Sequence, residues 1–171
     1  SSDMSVAVAG AGAKITLTPG TTMYLRKLAT ASAFRAYIQA LAVPARPSTP
    51  AFAIDYDQEK TTAVMTSEYE YSSQADMSSA VACIGNKVDI VPGTTKYFRK
   101  KATASTFASA VQTLSAPARP AAPSFTIDYM TGTTGQAVSS AYEYAVNADM
   151  SSAVAGTGSK IPLSSGTTYY F

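Results

Sequence analysis

Apolar and polar residues alternate in short bursts along this chain, and turn-forming pairs break each burst. Phe52, Ile54 and Tyr56 alternate with Ala53 and Asp55, the period of two that marks a half-buried β-strand. The polar run Asp57-Gln58-Glu59-Lys60 predicts a turn, and residues 61–65, rich in Thr and Val, predict a second short strand. Tyr69 and Tyr71 set against Glu68 and Glu70 predict a third. Met77, Val81 and Ile84 predict a looser edge strand before Gly85-Asn86, and Val88 and Ile90 mark another. Pro92-Gly93 is a strong turn pair that stops it. Tyr97-Phe98-Arg99 opens a long strand expected to run through Thr103, and residues 111–114 make the last. About seven short strands with a turn signal about every ten residues is the pattern of a β-sandwich.

The pattern repeats. Asp3-Met4-Ser5, Asp76-Met77-Ser78 and Asp149-Met150-Ser151 follow one another at an interval of 73 residues (76 − 3 and 149 − 76). Gly20-Thr21-Thr22, Gly93-Thr94-Thr95 and Gly166-Thr167-Thr168 keep the same interval, as do Ala45-Arg46-Pro47 with Ala118-Arg119-Pro120 and Ile54-Asp55-Tyr56 with Ile127-Asp128-Tyr129. A fixed period with repeated blocks means a tandem array. The boundaries that follow are a partial repeat at 1–44, a complete repeat at 45–117 and a second partial repeat at 118–171. Each junction carries spaced prolines, Pro44, Pro47 and Pro50 and then Pro117, Pro120 and Pro123. Proline fixes φ and withholds a backbone donor, so these stretches predict stiff, extended linkers. One segment competes as a helix, with Phe34, Tyr37, Ile38 and Leu41 at i, i+3, i+4 and i+7. Its counterpart keeps Phe107, Val111 and Leu114 but puts Ala110 where Tyr37 stands, and Ser and Thr are abundant, so the helical turn is the weaker expectation.

Composition narrows the chemistry. Charged residues make up 14 % of the chain and the net charge is only +2, which does not suggest a nucleic-acid partner. There is no histidine, which removes the commonest general base and metal ligand. Cys83 is the single cysteine and is replaced by Gly10 and Gly156 in the other repeats, so we read it as a small, semi-buried filler. No apolar run approaches the roughly 20 residues of a membrane span. Ser1-Ser2-Asp3 is neither a start site nor a basic leader, and the numbering opens and closes within a repeat. We therefore expect a window of a longer protein.

The run Val91-Pro92-Gly93-Thr94-Thr95-Lys96-Tyr97-Phe98-Arg99-Lys100-Lys101-Ala102, with its copies at 17–29 and 163–171, resembles the E-strand, turn and F-strand signature of fibronectin type III domains. Tyr69-Glu70-Tyr71-Ser72 resembles their C strand, and the proline stretches resemble their domain junctions. The sequence departs from that family in lacking tryptophan and in placing Met23, Lys96 and Tyr169 at the usual tyrosine position. Lys27 and Lys100 stand where the family buries an aliphatic residue. The resemblance implies an all-β chain of tandem Ig-like, fibronectin type III-like β-sandwich repeats of about 73 residues joined by Pro-rich linkers. Near-identical units of this kind are similar to the repeat regions of large bacterial surface proteins, adhesins and stalks.

Candidate chemistry is sparse. Asp55, Asp57 and Glu59 could form a calcium clip, but the third repeat has Asp128 followed by Met130 and Gly132, which favours a solvated turn. Arg46 and Arg119 are candidates for inter-domain linker contacts, pairing with a carboxylate of the neighbouring domain, or else solvated charges. Tyr97 and Arg99 are candidates for a ligand face, since an aromatic and basic strand face could bind sugars or nucleic acid. Serine and threonine have no adjacent base, and Gly10-Ala11-Gly12 is not followed by a helix pattern, so neither a nucleophile nor a phosphate loop is marked. The expectation is a non-enzymatic structural segment of an extracellular, cell-surface protein, without cofactor or metal. It would extend or build a filament, stalk or adhesin. Its partners would be neighbouring repeats, other copies in a filament or surface glycans. The alternative is a carbohydrate-binding or spacer module of a secreted polysaccharide-active protein.

Overall fold

The computed structural model describes residues 3–171; Ser1 and Ser2, which open the run discussed above, lie outside the described residues. Among the described residues the chain is all-β, with short antiparallel strands and no helix. Two compact units divide at Arg119–Pro120, inside the second proline stretch.

The first unit begins with a hairpin of β1 (Thr22–Leu25) and β2 (Gln39–Ala42), in register from Thr22↔Ala42 to Leu25↔Gln39. The segment that competed as a helix is therefore loop and strand, with Phe34 and Tyr37 wholly exposed. A helical stripe needs an apolar surface to lie on, and none covers these two rings.

The complete repeat follows. β3 (Ile54–Asp55) and β4 (Lys60–Thr61) form a hairpin over a four-residue turn. Tyr56 leaves the strand because the Asp55 carboxylate accepts the Gln58 N–H at 3.1 Å and starts the turn one residue earlier than alternation predicts. β5 (Tyr69–Ser72), β6 (Val81–Ala82), β7 (Thr95–Lys100) and β8 (Gln112–Ser115) build one antiparallel sheet in the order β6-β5-β7-β8. β7 stops at Lys100 rather than Thr103. There the Thr103 N–H donates to the Thr106 carbonyl at 2.9 Å and turns the chain.

Residues 86–90 run beside β4 through isolated pairs, Lys60↔Asp89 and Met65↔Asn86. Thr61 explains why no regular ladder forms. Its hydroxyl, fully buried, accepts the Val88 N–H at 3.0 Å and donates to the Ala63 carbonyl at 2.9 Å, replacing backbone bonds. Thr134 does the same in the second unit with Ile161 and Gln136.

The core of the complete repeat draws on both strand groups. Met65, Val88 and Ile90 come from one, Phe98 from the other, with Cys83 beside them and Phe52, Ile54, Tyr69, Tyr71 and Leu114 packed around. Phe98 is fully buried, and the Phe52 ring meets its edge at 5.5 Å and that of Tyr69 at 5.1 Å.

The second unit contains β9 (Ile127–Asp128) paired with β10 (Thr133–Thr134), and β11 (Glu143–Tyr144) paired with β12 (Val154–Ala155). Val138 and Ile161 are its buried residues at the positions of Met65 and Val88. Phe125 packs against Phe171 at 4.7 Å and Tyr142 at 5.3 Å.

Candidate functional site

The recurring Asp-Met-Ser block is a backbone device. Met4, Met77 and Met150 all have left-handed φ, at 57, 60 and 57°. Each preceding aspartate accepts the N–H two residues on, at 2.9, 2.8 and 2.9 Å for Asp3, Asp76 and Asp149. This Asx turn offsets the cost of a non-glycine left-handed residue, about 1–2 kcal/mol. Hydrogen bonds from Ser78 and Ser151 hold the Asp76 and Asp149 carboxyls below their usual range.

Asp55 is engaged from two sides. Its Oδ1 accepts the Gln58 N–H, and its Oδ2 accepts from Lys87 Nζ at 3.2 Å. Lys87 also donates to Gln58 Oε1 at 2.9 Å. The Gln58 backbone bond first, then Lys87, lowers the Asp55 pKa. The second unit repeats the arrangement with Lys160 on Asp128 Oδ2 at 3.0 Å, and Lys160 first, then Thr131, brings the Asp128 pKa down to about 2. Glu59 is ion-paired with Arg119. Asp55, Asp57 and Glu59 do not converge on a cation position, and no cluster of three His, Cys, Asp or Glu among the described residues has metal-binding spacing.

The proline-stretch arginines are ordered by contacts inside the first unit. Arg46 Nη1 donates to the Ala108 carbonyl at 2.8 Å and its guanidinium lies 5.5 Å from the Phe107 ring centre. Arg119 reaches back to Glu59. Both side chains thus bind the proline stretches to the body of the complete repeat.

On β7, Phe98 points into the core and Tyr97 and Arg99 lie on the opposite face, half-buried. Arg99 Nε donates to Glu70 Oε1 at 2.6 Å across the register pair Glu70↔Arg99. The charge on this face is therefore partnered within the sheet. Cys83 is buried with its Sγ 3.8 Å from Met65 Sδ, and desolvation raises its pKa.

Two features escape sequence reasoning. Gln112 on β8 clamps the main chain of Phe52, donating to its carbonyl at 2.7 Å and accepting its N–H at 2.8 Å. A lone glutamine in a strand carries no signal for such a clamp. The second is a cleft of about 750 Å³ in the second unit, lined by Phe125, Ile127, Thr134, Leu163, Tyr169 and Phe171. At the matching place in the complete repeat, Leu114 and Ala116 of the β8 region pack against the buried cluster that holds Ile90 and Phe98. Only the repeat alignment reveals that correspondence.

No helix among the described residues is long and apolar enough to cross a membrane. No family model matches the chain, and neither a curated protein nor a solved structure matches it.

Proposed function

We propose that this chain is a structural repeat segment of a large extracellular bacterial protein, made of fibronectin type III-like sandwiches that extend or build a surface filament, stalk or adhesin. The observation that carries this reading is the strand order of the complete repeat. In the Ig-like arrangement the third, sixth and seventh strands share one sheet and the first, second and fifth lie on the other. Here β5, β7 and β8 share a sheet with β6 at its edge, and β3, β4 and residues 86–90 pair among themselves. The core between them is filled by the unit's own side chains, which suits a unit that supplies length and stiffness. Arg46 and Arg119 support the same reading, because they fasten the proline stretches to the folded body of the complete repeat.

The test is immunogold electron microscopy with antibodies raised against residues 45–117, on cells that make the protein. Gold along thin surface projections is the expected result. Label confined to the cell interior would overturn the reading, as would selective glycan-array binding lost in Tyr97→Ala, which favours the carbohydrate module.

A further inference from the structure

The turn between β3 and β4 carries a carboxylate that its backbone does not need. Glu59 is left-handed, with φ of 52°, and its carbonyl accepts the Ile90 N–H at 2.7 Å. The same repeat position in the second unit is Gly132, with φ of 64°, and its carbonyl accepts the Leu163 N–H at 2.8 Å. Glycine fills this place without the penalty that a side chain meets at positive φ. The shared backbone duty therefore does not explain a glutamate. What Glu59 adds is a carboxylate, and that carboxylate is ion-paired with Arg119.

Arg119 ends a segment that the complete repeat holds step by step. The Ala116 N–H donates to the Thr94 carbonyl at 2.8 Å, and the Pro117 carbonyl accepts the Gly93 N–H at 2.9 Å. Ala118 lies against Gly93, where a Cβ would stand 3.8 Å from the Ala118 Cα. Arg119 then reaches Glu59, and the first unit ends at this residue. Among the described residues neither Ala118 nor Arg119 makes a main-chain hydrogen bond, so the ion pair is the polar contact that holds them.

We propose that Glu59 and Arg119 form a salt-sensitive latch on the proline stretch. Closed, it holds Ala118 and Arg119 against the β3–β4 turn. Open, it adds both residues to the free length of the stretch, about 6 Å of reach in extended, proline-rich chain. The left-handed strain at Glu59 is what the turn gives up to carry the carboxylate. The pair is built to open. The Glu59 and Arg119 side chains are 36 and 68 % exposed, so salt screens their attraction. Pairs of this kind shift a local equilibrium by only about 1.5- to 5-fold. Gly132 offers no carboxylate, so the latch belongs to the complete repeat and not to every copy. It goes beyond the surface-stalk reading and does not depend on it.

Nitrogen-15 relaxation on the whole 171-residue chain tests this. The readout is the order parameter of the Arg119 Nε–H group. Arg99, paired with Glu70, is the ordered reference, and exposed Arg35 is the free one. In about 50 mM salt Arg119 should stand closer to Arg99 than to Arg35, and in about 1 M salt it should fall toward Arg35. Glu59→Gln should produce the same fall at low salt. Glu59→Gly should do so too, yet raise the melting temperature of the complete repeat by about 3–6 °C, because the positive-φ penalty is gone. A merely structural contact would lose hold and stability together. Arg119 as mobile as Arg35 at low salt, or order that ignores both salt and Glu59→Gln, overturns the latch. A lower melting temperature in Glu59→Gly overturns the claim that the carboxylate is kept against the preference of the backbone. The salt titration uses the unmodified chain, so it decides the matter even where a variant misfolds.

Discussion

Replacing Phe98 with alanine asks how much of the complete repeat one ring holds together. Phe98 is fully buried, sits where β7 faces residues from the other strand group, and meets Phe52 edge-on at 5.5 Å and Tyr71 at 6.1 Å. Truncating a buried phenylalanine costs about 3–5 kcal/mol, because transfer energy and cavity add. Both ring contacts vanish with it, which places this site at the upper end, about 4–5 kcal/mol. A domain of this size is stable by only about 4–11 kcal/mol. Phe98→Ala should therefore remove half or more of the stability of the repeat. With a urea slope of about 1–1.5 kcal/mol per molar, the midpoint should fall by about 3 M or the fold should be lost outright. Leu25→Ala is the internal control, since Leu25 occupies the same repeat position in β1 but stays half-exposed. In dilute monomeric samples it should cost less than about 1.5 kcal/mol. Urea titration followed by far-ultraviolet circular dichroism measures both. Equal losses for the two variants, or a loss below about 1.5 kcal/mol for Phe98→Ala, would show that the core is not built around β7.

Acid should weaken the second unit through Asp128. Its folded pKa, about 2, lies below the ordinary 3.8, so its bonds to Lys160 and Thr131 contribute fully above about pH 4 and fade as pH falls through 2. Thermal melts between pH 5 and pH 2 should show this slope, and Asp128→Asn should flatten it. Gly156→Ala should destabilise the second unit by about 2 kcal/mol or more, because a methyl there runs into the carbonyl oxygens of Val138 and Ser139; an unchanged melt would contradict that packing. Cys83 should resist iodoacetamide in the folded chain and react on denaturation, since it is buried and its thiol pKa is raised. Rapid native labelling, read by mass spectrometry, would contradict its burial.

The sequence carried its local rules openly. Alternation over Tyr69 to Ser72 and Thr95 to Lys100, and the Pro92-Gly93 turn, were legible because strand period and turn geometry are properties of neighbouring residues. Gly93, with φ of 78°, occupies the left-handed position that a Pro-Gly turn requires. The 73-residue interval likewise needs no coordinates. Where local signals conflicted, over Phe34 to Leu41, composition leaned the right way, but only the absence of a covering surface decided for loop and strand.

Tertiary structure decided everything that joins distant residues. Nothing between Thr61 and Val88 announces that a threonine hydroxyl will stand in for a ladder bond, or that Gln112 will grip Phe52 sixty residues away. Nor does an arginine in a basic run declare whether it will find a carboxylate, as Arg99 does and Arg26 does not. The reason is physical. Strand formation depends on side-chain alternation along a few residues, whereas pairing and burial depend on which segments meet once the chain has closed, and no single segment contains that information.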